Sequence, residues 1–156
     1  MVITAVSALG TVLKKDGAVI GDVKSISGPT LTRDTTDVTA LDSADGFEEI
    51  LPTVLRTGEL TLTIALNQDD ASHDALRDDV VTASGKSFSI VFPATAASGT
   101  IQTHTFDAFV TSYGNQIETG SEITADITLK PTSTITVTTA EKGEYLCHQL
   151  FVKRTS

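Results

Sequence analysis

Hydrophobic and polar positions alternate with a period of two over much of this chain. The cleanest run is residues 59–66, and residues 122–130 repeat the same pattern. Strict alternation over such lengths predicts β-strands with one buried and one solvent-facing side. The predicted buried side chains of these two runs are Leu60, Leu62, Ile64, Leu66, Ile123, Ala125, Ile127 and Leu129.

Weaker versions of the pattern predict more strands. Asp16-Gly17 between two apolar runs is a strong signal for a tight hairpin turn. Gly28-Pro29 interrupts the chain after that hairpin, and residues 93–100 and 114–120 are predicted turns. Two further strands would bury Phe88, Ile90, Phe92, Phe106, Ala108 and Val110. The full set of predicted strands is 11–15, 18–26, 29–39, 59–66, 86–92, 101–113, 122–130 and 134–138.

Residues 69–83 change to a helical period. Asp69 or Asp70 is placed to cap the N-terminus of the helix, where a carboxylate also suits the macrodipole. Gly85 lies where a C′ residue is expected after the last turn. The predicted helix would cover the sheet with the stripe Ala71, Ala75, Leu76 and Val80.

Residues 34–58 form an acidic segment much longer than the usual hairpin loop of two to five residues. Its apolar residues could fold back on the parent sheet, for instance through a short helix at 46–51. Alternatively, they could form a docking surface, and this is the prediction that we favour, because exposed apolar patches usually mark contacts. The candidate contact residues of this arm are Asp37, Asp42, Asp45, Phe47, Glu48, Glu49, Ile50 and Leu55.

The composition favours a mostly-β fold in one domain, residues 1–140. The chain has 156 residues, of which 26 are Thr, a β-branched residue that suits pleated surfaces. A formal net charge of -9 argues against sequence-independent binding to nucleic acid phosphates. There is no apolar run long enough for a membrane span and no basic region before the first apolar stretch, so we expect synthesis in the cytoplasm.

Candidate chemistry is sparse. His73, His104 and His148 stand apart, whereas metal sites and catalytic triads need convergent side chains. The acidic run 69–74 lacks the spacing of a calcium loop, and no phosphate-binding or nucleophile-elbow motif occurs. The single Cys147 excludes an intrachain disulfide framework. The sequence therefore predicts no catalytic, cofactor or metal site.

Residues 141–156 differ from the rest because their net charge is +1 and no periodicity is sustained. They could be a disordered tail, an appended terminus or an arm that orders on assembly, and the sequence leaves these alternatives open.

The order of these features resembles the major tail tube protein of long non-contractile-tailed bacteriophages. The most specific part is the arm with its flanks: the Gly28-Pro29 break, the segment Asp37-Val38-Thr39, the segment Gly46-Phe47-Glu48-Glu49, and Gly58-Glu59 opening an alternating strand. One helix and several strands follow. The resemblance extends over about residues 5–139.

The resemblance implies a β-sandwich-like subunit with one flanking helix and a long β–β loop. Six subunits would close a ring whose sheets join into a continuous inner β-barrel, and stacked rings would form the tube. DNA would pass through the bore without specific binding, and the tape measure protein would occupy it during assembly. Tail tip and terminator proteins are the other implied partners. The protein would be part of the virion tail, assembled in the bacterial host cytoplasm.

On this reading, the solvent-facing sides of the two alternating strands are candidates for a negative, hydroxyl-rich bore. Those residues are Glu59, Thr61, Thr63, Glu122, Thr124, Asp126 and Thr128. The arm would reach an adjacent ring, and the chain termini could help stacking.

Two alternative functions are a monomeric binding module and a tube subunit of a secretion system. A monomeric immunoglobulin-like or carbohydrate-binding β-sandwich would need an aromatic platform, which is hard to build without Trp and with only Tyr113 and Tyr145. A secretion-type tube subunit would share the assembly physics. An enzyme is poorly supported.

Overall fold

A computed structural model describes residues 6–39, 47–95 and 99–141 of the chain. This part is mostly antiparallel β-structure with one helix, as predicted. Its elements are β1 (Val12–Lys15), β2 (Ala18–Val19), β3 (Val23–Ser27), β4 (Leu31–Asp37), β5 (Ile50–Thr57), β6 (Leu60–Ala65), α1 (Ala71–Thr82), β7 (Lys86–Val91), β8 (Thr100–Gln116), β9 (Thr124–Pro131) and β10 (Thr136–Glu141).

Eight of the strands form one sheet in the order β2-β1-β7-β8-β9-β6-β3, with β10 paired to β8. The long strand β8 organises this sheet. Its first part lies between β7 and β10, whereas its last part, from Phe109 to Gln116, pairs with β9 on one side. Strands β4 and β5 form a separate two-stranded sheet.

One hydrophobic core lies beneath the main sheet. The predicted inward residues of β6, β7, β8 and β9 fill it, and the rings of Phe88 and Phe106 stack with centroids 6.2 Å apart. Three predicted core residues at strand ends are less buried than expected. Leu66 and Phe92 are half-buried, and Phe92 lies one residue beyond the end of β7. Ile123 is 38% exposed because β9 begins only after it, at Thr124.

Helix α1 begins where the sequence predicts and ends differently. The carboxylate of Asp70 caps it by accepting a hydrogen bond from the Ser72 N–H at 2.8 Å. At the other end, the left-handed residue is Ala83 (φ 48°), so the prediction that Gly85 terminates the helix is wrong. Ala83 adopts this conformation while its N–H still donates to the Asp79 carbonyl at 3.0 Å.

The buried face of α1 is more polar than the predicted stripe. Ala71 is exposed, and His73 and Asp79 are buried beside Leu76. Asp79 forms an ion pair with Lys15 of β1, whose ammonium also donates to the Ala75 carbonyl at 3.0 Å. These contacts fix the helix to the sheet.

His73 closes the first turn of α1 against the body of the protein. Its Nδ1 accepts from the Asn67 N–H at 3.2 Å, and its Nε2 lies 3.1 Å from the Gly21 carbonyl. With both ring nitrogens occupied by backbone groups, His73 is a structural core residue.

Three predicted boundaries need correction. The Asp16-Gly17 hairpin is present, but the predicted strand 18–26 is broken at Asp22 (φ 53°), and its second half pairs with β6 rather than β1. The predicted turn at 114–120 starts later, because β8 continues to Gln116. The predicted strand 122–130 begins two residues later and ends one residue later, because β9 spans Thr124–Pro131.

Candidate assembly interface

The polar residues predicted for a bore lie together on one face of the sheet. Strands β6 and β9 pair with Thr61 opposite Thr128 and Thr63 opposite Asp126. In both strands the intervening residues are buried in the core, so the polar set points away from it. Glu59 and Glu122 extend the same two strands at their exposed ends.

Two β-bulges carry this polar face onto the neighbouring strands. In β8 the pairing shifts between Val110 and Ser112, so that Thr111 is the extra residue. This shift places Tyr113 on the core side of β8 and turns the polar residues that follow the bulge to the outer side, beside the polar residues of β9. In β3, a second shift at Lys24 turns the serines that follow it to the same outer side, beside the polar residues of β6. The residues added to the face are Ser25, Ser27, Ser112, Gly114 and Gln116.

Sequence reasoning missed these five residues because a bulge leaves no periodic signature. The available signals were two breaks of alternation: Thr111 and Ser112 are both polar after Val110, and Lys24 and Ser25 are both polar after Val23.

The charges of this polar face largely neutralise one another. Glu122 pairs with Lys24 at 2.8 Å, and Glu59 lies 3.6 Å from Lys130. Asp126 accepts a hydrogen bond from the Thr63 hydroxyl at 2.7 Å. The face is therefore hydroxyl-rich and only weakly negative.

The predicted contact arm is a β-hairpin rather than an irregular loop. Strands β4 and β5 pair from Leu31–Thr57 to Asp37–Ile50. The alternative of a short helix at 46–51 is wrong in its described part, because Ile50 and Leu51 belong to β5. None of the hairpin residues belongs to the hydrophobic core.

The arm exposes large apolar side chains. Phe47 is 75% exposed, and Ile50 and Leu51 are each 53% exposed. Val54 and Leu55 are also exposed, as is Leu31 on the opposite strand. Within the described residues, the alternative of inward packing on the parent sheet does not occur.

Hydrogen bonds organise the distal end of the hairpin. The Asp37 carboxylate accepts from both the N–H and the hydroxyl of Thr39, and these bonds hold the pKa of Asp37 below its ordinary value. The Thr39 hydroxyl in turn accepts from the Glu49 N–H at 2.9 Å. The predicted contact residue Glu48 is exposed beside this network. Asp42 and Asp45 lie outside the described residues.

Two glycines hold the base of the hairpin close to the main sheet. A Cβ on Gly28 would lie 2.6 Å from the Glu59 carbonyl oxygen, and one on Gly58 would lie 2.0 Å from the Thr30 hydroxyl. The Gly58 N–H donates to the Thr30 carbonyl at 2.7 Å. This crossing fixes the root of the arm between β3 and β6.

Two other kinds of feature are absent from the part of the chain that the structure describes. Across the described residues, no group of three or more His, Cys, Asp or Glu side chains could hold a metal ion. In the same residues, no helix is both long enough and apolar enough to cross a membrane.

Comparison with known proteins decides the family. Residues 8–141 match the sequence model of the lambda phage tail tube protein. The chain belongs to this family. It is therefore a structural tail tube protein of a virion, and the resemblance given by the order of its elements is confirmed. No curated protein sequence matches the chain.

Solved structures share the tail tube fold at low sequence identity. The tail of an empty gene transfer agent particle, with C6 symmetry, is 14% identical and has a TM-score of 0.67, covering 86% of this chain and 99% of its own. A chain from the sheath–tube complex of an extracellular contractile injection system is 16% identical with a TM-score of 0.69, covering 89% of this chain and 95% of its own. The SPP1 tail tube is 12% identical with a TM-score of 0.57, covering 85% and 77%.

Proposed function

We propose that six copies of this chain close a ring through the two open edges of one four-stranded segment, and that stacked rings form the tail tube. The segment consists of the end of β8 followed by β9, β6 and β3. In the described chain, no strand pairs with the outer edge of β3 or with the β7 side of β8 beyond Ala108. Unpaired edges promote association, and ring closure removes them.

Strand direction supports this closure and is the observation that carries the proposal. All pairings in the segment are antiparallel, so its four strands alternate in direction. The first and the last strand of the segment, β8 and β3, therefore run in opposite directions. When β3 of one copy lies beside β8 of the next, the new pair is antiparallel too, and the alternation continues around the ring.

A ring closed in this way places the polar face on one continuous wall. We propose that this wall lines the bore, with Glu59, Thr61, Thr63, Glu122, Thr124, Asp126 and Thr128 facing it. Because two of the carboxylates pair with Lys24 and Lys130, the wall would be hydroxyl-rich and weakly negative. DNA and the tape measure protein would then slide past without binding, and the role is structural rather than catalytic.

The six-fold number rests on the shared fold. The gene transfer agent tail has C6 symmetry, and its subunit has the same fold over nearly its whole length. Ring stacking would use the arm, with Asp37, Asp42, Asp45, Phe47, Glu48, Glu49, Ile50 and Leu55 as contact candidates. Tail tip and terminator proteins would bind the two ends of the finished tube.

Electron microscopy of the purified, concentrated protein, beside its mass by light scattering, tests the assembly. Hollow rings or tubes with a regular axial repeat are expected. A protein that stays monomeric at high concentration, also when tail tip components are added, would contradict the proposal and favour a monomeric binding module.

Disulfide trapping tests the edges. In a Cys147→Ser background, Ser25→Cys on β3 is combined in turn with Ser112→Cys, Gly114→Cys or Gln116→Cys on β8. If these strands pair between subunits, one combination brings the two Cα atoms within bridging distance, about 5.5 Å. Oxidised rings should then give a ladder that ends at the hexamer. The control pair, Ser25→Cys with Asp78→Cys on α1, should give no ladder.

A further inference from the structure

A groove runs along the open edge of β3, between this strand and β7. Its volume is about 380 Å³, which is in the range of small-molecule sites and far larger than a packing defect. Four successive residues of β3, from Val23 to Ile26, line it together with Gly28. Successive residues of a strand point to opposite faces, so a groove that contacts all of them lies beside the edge of the strand rather than on one face.

The walls of this groove are largely apolar. Ile90 and Phe92, at the end of β7, form the far wall together with Ala8. On the near wall, Val23 and Ile26 are half-buried and pack against the core. Among the described residues, no strand pairs with this edge of β3, so nothing in that part of the chain closes the groove from the outside.

Ile117 is a large apolar side chain that lies outside the core. It follows the last residue of β8 and is 72% exposed. Two and four residues earlier, Asn115 lies opposite the buried Ala125, and Tyr113 lies opposite the buried Ile127. Because side chains alternate along a strand, Ile117 continues this set and projects from the end of β8 on the side away from the polar face.

The strand pairing puts Ile117 at the same end of the four-stranded segment as the start of β3. Gln116 lies opposite Thr124 of β9, and Thr124 lies opposite Ala65 of β6. The Ala65 N–H donates to the carbonyl of Asp22, directly before β3, at 2.9 Å. Within one copy, three strand spacings of about 4.8 Å separate β8 from β3, which keeps Ile117 out of its own groove.

In the proposed ring, β8 of one copy runs antiparallel beside β3 of the next copy, so the end of one strand meets the start of the other. We infer that Ile117 of each copy inserts into the groove of the next copy, on the side of the wall that faces away from the bore. This contact rests on the proposed ring. A barrel needs staggered strands, and a groove that extends from Val23 to Gly28 receives Ile117 at more than one register.

Insertion of Ile117 would give the subunit boundary a defined register. Pairing through backbone groups alone specifies register weakly when the strands carry polar side chains, as the ends of β3 and β8 do with Ser25, Ser112 and Gln116. An apolar side chain that must enter a bounded groove removes most of this freedom, because other registers leave it in water.

Ile117→Asp tests the contact by placing a carboxylate in an apolar groove. The critical concentration for tube formation, measured by sedimentation, should rise at least about tenfold, equivalent to about 1.4 kcal/mol. The urea midpoint of the unassembled protein should not change, because the side chain is exposed there. Val81→Asp, at a residue of α1 that is 83% exposed, is the control and should assemble as the wild type does. Assembly of Ile117→Asp at the wild-type concentration would overturn the inference.

Cross-linking identifies what Ile117 contacts in the tube. In a Cys147→Ser background, Ile117→Cys is combined with a cysteine in the groove, either Val23→Cys or Ile26→Cys. A third combination uses Leu51→Cys on the arm. One of the groove pairs should give an oxidised ladder that ends at the hexamer, since bridged Cα atoms lie about 5.5 Å apart. A ladder formed only with Leu51→Cys, or with none of the three, would overturn the inference.

Failure of this contact is distinguishable from failure of the proposed ring. If the pairs of Ser25→Cys with β8 give their ladder while Ile117→Asp assembles normally, the ring stands and the inserted Ile117 does not. If the wild-type protein forms no ring at all, both are wrong.

Discussion

At the scale of single residues, Lys15 joins two elements that are distant in sequence. Its ammonium reaches from β1 to the Asp79 carboxylate and the Ala75 carbonyl of α1, and the two side chains of the ion pair are only 12% and 9% exposed. A pair this buried contributes to stability mainly because either partner alone would be left without compensation.

Lys15→Met should therefore lower the free energy of unfolding by about 2 kcal/mol, since Asp79 stays buried without its cation. Urea denaturation at pH 7 measures the change. Lys130→Met serves as the control, because its pair with Glu59 is about half exposed and should contribute less than about 1 kcal/mol. Equal effects of the two substitutions would contradict this account of Lys15.

The cap of α1 gives stability a defined pH dependence. Hydrogen bonding from Ser72 holds the pKa of Asp70 below its ordinary value, against the opposing effect of desolvation. A carboxyl group whose pKa is lower in the folded state stabilises the fold above the unfolded pKa of about 3.9. That contribution is lost as the pH falls through the lower, folded value.

Asp70→Asn keeps the shape of the cap but removes its titration. Wild type should be more stable than this variant at pH 7, and the difference should shrink as the pH falls below about 4. Urea unfolding at pH 7, 5 and 3 measures it. A difference that stays constant over this range would show that the carboxylate charge is not what stabilises the cap.

At the scale of elements, the sequence contains signals for both ends of α1, but only the N-terminal end was predicted correctly. Asp70 precedes the helical period and is a favourable cap residue, so its role follows from local chemistry. Ala83 takes a left-handed conformation that its side chain disfavours, and the nearby Gly85 suggested a later end.

Ala83→Gly should stabilise the protein by about 0.5–1 kcal/mol, because glycine adopts φ 48° without a Cβ conflict. Part of this gain is offset by the greater freedom of glycine in the unfolded chain. Thermal unfolding followed by circular dichroism gives the sign. Thr82→Gly, one residue earlier and inside the helix, should destabilise it. Loss of stability in Ala83→Gly would contradict the strain argument.

In the strands too, hydrophobic alternation predicts some features and not others. Alternation in β6 and β9 identifies the core and the polar face because one side of the sheet is buried throughout. The bulges at Lys24 and Thr111 shift the register and leave only a pair of adjacent polar residues in the sequence, which does not show which side of β3 and β8 joins the polar face. The first strand of the arm, β4, lies within the predicted strand 29–39, whereas β5 was predicted as part of a loop because its apolar residues follow no simple period.

At the scale of the whole molecule, the position of the charges matters more than their sum. The chain carries a net charge of -9, yet the proposed bore wall is weakly negative because its acids are largely paired. Much of the acid lies instead on the arm and on the exposed side of α1, where Asp74 and Asp78 project. DNA in such a bore would meet hydroxyl groups and a low fixed charge.

This arrangement predicts how a single charge reversal would act. Asp126→Lys should leave tubes able to form, because the side chain is exposed and opposes Thr63 on the polar face. In a six-membered ring the change repeats six times, and cations clustered along a bore bind phosphate strongly and in a salt-dependent way. Wild-type tubes should retain little of a fluorescent single-stranded oligonucleotide, and Asp126→Lys tubes should retain it at low salt and release it at high salt.

Asp78→Lys makes the same charge change on α1, outside the proposed bore, and serves as the control. Oligonucleotide held by Asp126→Lys tubes should resist an added nuclease, because the enzyme cannot enter the bore, whereas oligonucleotide held by Asp78→Lys tubes should be digested. If the nuclease removes both equally, Asp126 faces the outside of the tube, and the polar face of β6 and β9 is not its inner wall. Protection confined to Asp126→Lys would place that face in the path of the DNA.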